Sequence, residues 1–164
     1  MATTKANRPT FLYNGQPVRA AGLLIYVTDN GKRHYLLRSG KKGRWSDIGG
    51  KTDATDPDIL ATIVRETVEE TNHHLFAAHH TFEQARERLD HVLHNEELEI
   101  FYCPRGKYVL IKVQLDSTLK TLNMKRFGLR EHEAMSHYYA WVSQIQRYKL
   151  HPRLRFHTEY NNIF

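Results

Sequence analysis

The sequence predicts an α/β (α+β) domain in which a mixed β-sheet lies between helices. Three observations predict it. Short runs rich in apolar, β-branched and aromatic residues are bounded by Gly, Asn, Asp and Pro, as strands are. Two longer stretches carry apolar residues at helical spacing. The length of 164 residues suits one domain with a full hydrophobic core.

Residues 18–28 (VRAAGLLIYVT) read as a strand. Asp29-Asn30-Gly31-Lys32 is a turn of the hairpin kind, and residues 33–39 (RHYLLRS) form the return strand. Residues 39–44 (SGKKGR) are a basic loop with two glycines. Residues 45–48 form a short strand ending in Gly49-Gly50, and residues 51–56 a polar loop. A helix is expected over 57–71, with Asp56 as its cap and Pro57 in its first position. Ile59, Leu60, Ile63, Val64 and Val68 give it a buried side. A second helical stretch covers 81–94, and strands are expected over 97–103 and 107–115. Residues 116–132 read as irregular and basic, 136–142 as a strand and 143–148 as a short helix capped by Ser143. The tail 149–164 shows no regular pattern. No repeat or low-complexity segment appears, so residues 1–164 read as a single domain with a core over about 18–148 and extensions at both ends.

Composition bounds the function classes. The hydrophobic fraction of 40% and charged fraction of 26% are those of a soluble globular protein. No apolar run approaches the roughly 20 residues needed to span a membrane, and the start, MATTKANRPTF, has no signal-peptide stretch. Cys103 is the only cysteine, which fits a reducing compartment and a cytoplasmic location. The net charge of +6 and a pI near 9.5 favour anionic partners: nucleotides, inositol phosphates or RNA. The eleven histidines are scattered apart from two adjacent pairs and lack metal-ligand spacing, so they read as solvated surface residues.

The chemistry is concentrated in Arg65-Glu66-Thr67-Val68-Glu69-Glu70. Glu66, Glu69 and Glu70 fall at i, i+3 and i+4, which share one helix face. Like charges there repel, and a cation between them is the physical reason to gather them. Hard divalent ions such as Mg²⁺ take carboxylate oxygens, backbone carbonyls and water, with a phosphate completing the shell.

The segment from Gly50 to Asn72 resembles the Nudix box, the signature of the Nudix hydrolase family. Gly50 matches its first glycine, and Arg65-Glu66 with Glu69-Glu70 match its core. Four positions depart from the pattern. Asp56 replaces a Glu, eight residues rather than seven separate it from Arg65, Thr67 replaces an apolar residue, and Asn72 replaces the closing Gly. Asn tolerates a left-handed helix end, and the extra residue lengthens a loop ahead of the helix. The resemblance implies an α/β/α sandwich and hydrolysis of a pyrophosphate bond with Mg²⁺ or Mn²⁺.

It further implies that Glu66, Glu69 and Glu70 bind the metal, with a backbone carbonyl of the Gly49-Gly50 turn completing the shell. Arg65 would hold a carboxylate by a bidentate pair and keep the face organised. Asp56, at the position of the early Glu, would be structural. The general base in the family is a box Glu, here Glu66, or a Glu from a loop near the last strand, here Glu131 or Glu133.

Substrate contacts are expected just ahead of the box. Arg38, Lys41, Lys42 and Arg44 could neutralise phosphates or form a solvated basic loop. Trp45 could stack on a base or belong to the core. The basic segment from His151 to Arg155 could close over the site or touch RNA. The reading is an Mg²⁺-dependent hydrolase of a nucleoside diphosphate linked to another group. An mRNA-decapping enzyme, a diphosphoinositol-polyphosphate hydrolase and a catalytically inactive nucleotide- or RNA-binding module stand as alternatives. Family members often form homodimers.

Overall fold

The protein is described by a computed structural model, which covers residues 7–76, 81–121 and 138–164, apart from the side chains of residues 41 and 138. Nine strands and three α-helices are present among the described residues. β1 (Phe11–Tyr13) and β2 (Gln16–Val18) form a small antiparallel hairpin ahead of the first expected strand, where the sequence reading assigned no element before residue 18.

The remaining strands form one mixed sheet centred on β3 (Ala20–Asp29). β4 (Lys32–Ser39) returns antiparallel along the far half of β3. Asn30 and Gly31 turn the chain with φ of 51° and 74°, the left-handed values a tight hairpin needs. β6 (Ile48–Lys51) lies antiparallel beside the near half of β3, with Ala21 opposite Gly50. On the other flank β3 pairs in parallel with β8 (Tyr108–Gln114), and β8 pairs antiparallel with β7 (Glu99–Cys103). β5 (Trp45–Ser46) and β9 (Tyr138–Val142) both pair with β4. One flank of β3 is thus shared between β4 and β6, so the sheet parts there.

Helices cover both faces of the sheet. Ala21 to Val27 of β3 are all buried, which accounts for a strand that reads as a continuous apolar run. Alternate side chains go to opposite faces. Leu23 and Ile25 join Ile63 and Val68 of α1 (Ile59–Glu70) and Leu89 of α2 (Phe82–Asn95). Leu24 joins Leu37, Leu110 and Leu154 on the other face, where α3 (Pro152–Tyr160) packs.

Three helix boundaries differ from the sequence reading for identifiable reasons. α1 begins at Ile59 because Asp58, not Asp56, caps it by accepting from the Ala61 amide at 2.8 Å. Asp56 is drawn instead into an ion pair described below. Residues 143–148 hold only a short 3₁₀ turn, Ile145–Arg147, without a side-chain cap. The tail expected to be irregular carries α3, with Leu154 and Ile163 at 0% and 1% exposure. Burying such side chains fully contributes about 1.5–3 kcal/mol each, so packing holds a helix that has no clear apolar stripe of its own. α1 ends as the Asn72 substitution implied: Asn72 and His73 have φ of 49° and 55°, and the His73 amide donates to the Val68 carbonyl at 2.9 Å.

Candidate active site

Helix α1 lies against β6, so its carboxylate face meets the Gly49-Gly50 segment. Gly50 is required by this approach. A side-chain carbon at that position would overlap the Glu66 carboxylate.

Arg65 organises the face. It grips Asp56 through two N–H···O bonds of 2.9 Å, from Nε to Oδ1 and from Nη2 to Oδ2. Its Nη2 also donates to the Lys51 carbonyl at 2.8 Å, and its Nη1 reaches Glu66 at 2.9 Å and Glu69 at 3.5 Å. The bidentate partner implied by the family resemblance is therefore Asp56, at the position of the early box carboxylate. Burial, the strongest single influence, pushes the Asp56 carboxyl up. Arg65, the Thr62 hydroxyl and the Asp53 amide together outweigh it and hold the group below its ordinary range.

Glu66 behaves oppositely. Burial is again the strongest influence; Arg65 opposes it, but repulsion from Glu69 and Glu70 adds to it, and the carboxyl is pushed up to about 7. Glu70 pairs with Arg38 of β4, Nη1 to Oε2 at 2.6 Å, with both side chains largely out of solvent. Tyr139 of β9 donates to the Glu70 backbone carbonyl at 2.5 Å.

The donor set fits a hard divalent cation. It offers only oxygen: three carboxylates on one helix face and a glycine backbone brought against one of them. Arginines neutralise the same carboxylates in the structure, Glu66 and Glu69 through Arg65 and Glu70 through Arg38. Consistent with this, no three carboxylate, imidazole or thiol groups converge into a cation cage among the described residues.

A cleft of about 840 Å³ opens beside this face. Its floor is Gly49 and Gly50, and its walls are the turn at 104–106 and α3. A smaller basic cavity of about 340 Å³, lined by Arg38, Lys42, Arg44, Ser46, His151 and Arg153, shares Arg38, His151 and Arg153 with it. Under both lies a polar network the sequence reading missed. Asp47 is completely buried and accepts from the Tyr108 hydroxyl and from Ser46. Arg153 pairs with Asp47 at 3.4 Å, donates to Ser46 Oγ at 3.0 Å and stacks over the Tyr108 ring at 4.1 Å. Gly22 leaves the space in which Tyr108 and Asp47 meet, because a side chain there would overlap both. Burial, the strongest influence, pushes the Asp47 carboxyl up, but Arg153, Tyr108 and Ser46 bring it below its ordinary range.

The expected contacts ahead of the box divide. Arg38 and Arg44 line the basic cavity. Trp45 is partly buried and packs edge-on against Tyr148 beside the second core. The Lys41 side chain, Glu131 and Glu133 lie outside the described residues. The signal available for Asp47 was a lone carboxylate in an otherwise uncharged strand, Trp45 to Gly50.

NrtR of Shewanella oneidensis, solved in complex with a 27mer DNA, matches with a TM-score of 0.50 at 12% identity, over 84% of this chain and 57% of that one. The NUDIX domain of the same protein, cocrystallised with ADP ribose, matches with a TM-score of 0.47 at 12% identity, over 88% and 86%. An Ap4A hydrolase of C. elegans matches with a TM-score of 0.45 at 18% identity, over 78% and 84%. No protein-family model and no curated protein matches the sequence. The chain shares the fold of NrtR, a mixed sheet between helices, and the solved structures it resembles include a NUDIX domain, all at low sequence identity.

Proposed function

We propose that the protein is a Nudix pyrophosphohydrolase that uses Mg²⁺ or Mn²⁺ to cleave the diphosphate bond of a nucleoside diphosphate linked to another group. The observation that carries the reading is the Glu66, Glu69, Glu70 face of α1, whose Glu66 packs on Gly50, a residue that also lines a cationic cleft. The carboxylates and the Gly50 carbonyl would hold the metal, which supplies positive charge to the phosphate oxygens and orients the attacking water. Arg38, Lys51 and Arg153 line the cleft and bind phosphate oxygens. Glu66 is the box carboxylate assigned here as general base, accepting the proton of the attacking water. The water oxygen bonds to one phosphorus as the bridging P–O bond breaks, and the second phosphate leaves as an anion.

A second reading is favoured by the Arg38–Glu70 ion pair, which occupies one of the three carboxylates that the family resemblance makes metal ligands. On that reading the fold binds a nucleotide without cleaving it. Chromatographic detection of the cleavage products with and without Mg²⁺ separates the two, measured on ADP-ribose, NADH, dinucleoside polyphosphates, dNTPs, capped RNA and diphosphoinositol phosphates. Metal-dependent turnover of one class supports the hydrolase; silence across all of them leaves the binding module.

A further inference from the structure

We infer that α3 is the recognition wall of the cleft, with Tyr160 and Phe156 taking the nucleobase and Arg153 a phosphate of a nucleoside diphosphate. The inference deepens the hydrolase reading and takes its ligand class from it.

Four observations converge. The volume of about 840 Å³ suits a small ligand, well within the usual size of such sites. The charged lining is one-sided: Arg38, Lys51, Arg105, Arg153 and Arg155 against Glu159 alone. The cavity at the opposite end of β3 and β8, about 720 Å³, sets Arg33, Arg88 and Lys112 against Glu96, Glu97, Glu99 and Asp116, and has no such bias toward an anion.

The third observation concerns Arg153. Asp47, Ser46 and Tyr108 fix its guanidinium before any ligand arrives, and these contacts use fewer than its five N–H donors. A planar fork held in place at the cleft is suited to phosphate. The fourth is the aromatic pair. Phe156 and Tyr160 are stacked at 4.8 Å with a 39° tilt, and Tyr160 stays 71% exposed while lining the cleft. An aromatic face left open there is a platform for a base. Arg153, Phe156 and Tyr160 fall at i, i+3 and i+7 on one helix face. Seven residues of helix span about 10 Å, which sets the cation and the platform apart by a length comparable to a nucleoside diphosphate.

The test is calorimetric binding of two non-hydrolysable probes, α,β-methylene-ADP and base-free methylenediphosphonate, to the whole chain with and without Mg²⁺. Tyr160→Ala should weaken the nucleotide probe roughly ten-fold and leave the base-free probe within about two-fold, since stacking alone is removed. Tyr160→Trp should restore the affinity. Tyr160 is exposed, so neither variant threatens the fold. Equal binding of the nucleotide probe by wild type and Tyr160→Ala overturns the wall, as does an equal loss for both probes or a wild type that binds neither. Metal-dependent turnover without Tyr160 sensitivity overturns the wall and spares the hydrolase. Tyr160-sensitive binding without turnover does the reverse.

Discussion

Arg38 and Glu70 meet at 2.6 Å where β4 passes the end of α1, and both side chains are largely hidden from solvent. A buried pair is costly to break one partner at a time, because the survivor stays charged and unpaired. Glu70→Gln keeps an acceptor for Arg38 and removes only the charge. We expect the Mg²⁺ requirement for turnover to rise by more than the roughly 10–100-fold that follows loss of a residue merely supporting a metal ligand. The thermal midpoint should fall less than for Glu70→Ala. A magnesium titration that superimposes on wild type would sink the proposed metal face.

The clasp between Arg65 and Asp56 is a stability element. Asp56 also accepts from the Thr62 hydroxyl at 2.8 Å and from the Asp53 amide at 2.9 Å, and it is 7% exposed. Asp56→Ala removes the bidentate partner of Arg65, which keeps Glu66, Glu69 and the Lys51 carbonyl, and orphans the Thr62 hydroxyl and the Asp53 amide, with an expected cost of about 1–3 kcal/mol, read by urea denaturation. A loss below about 1 kcal/mol, the net worth of one hydrogen bond, would count against the clasp.

Two glycine substitutions separate chemistry from folding. Gly50→Ala pushes on the Glu66 carboxylate, the end of a flexible side chain, so turnover should suffer more than stability. Gly22→Ala meets the buried Tyr108–Asp47 contact and should destabilise by about 1–3 kcal/mol. The measurement is turnover beside the unfolding midpoint for both; a reversed order would refute the assignment.

The raised Glu66 carboxyl predicts a pH dependence with a definite sign. In the unfolded chain it ionises near 4.5, in the folded chain near 7. Between those values the folded state keeps a proton that the unfolded state has lost, so metal-free stability falls as pH rises and levels off above 7. The upper bound is about 3 kcal/mol. His151 and His157, both lowered chiefly by burial, act in the opposite sense below their ordinary 6.5. Asp47 and Asp56 are lowered and titrate at more acid pH. Subtracting the profile of Glu66→Gln isolates the Glu66 contribution. Mg²⁺ should flatten the difference, and identical profiles for the two proteins would show that the carboxyl is not held protonated.

How much of this was legible in the sequence depended on the reach of each contact. The carboxylate face is local: its spacing of three and four residues defines it on any helix. The Asn30-Gly31 hairpin and the Asn72 helix end are also written within a few residues. Asp56 was visible as a departure from a pattern, but its partner became clear only with the fold. Asp47, Arg153 and Tyr108 were not legible as a unit, because Tyr108 and Asp47 are 61 residues apart and Arg153 and Ser46 are 107 apart. Helix α3 escaped for the same reason. Its buried residues, Leu154 and His157, make no stripe, and distant partners hold it down.

The same separations order the assembly of the molecule. Closing a longer loop costs more chain entropy, and non-local pairing slows folding. The contacts of Arg65 with Asp56 and Lys51 span 9 and 14 residues, so the carboxylate face can form early. The Asp47–Tyr108 junction must wait for β8, and the seating of Arg153 waits for α3. A nascent chain would carry its carboxylate face before the cleft beside Gly50 had its second wall, which closes only with the turns of α3.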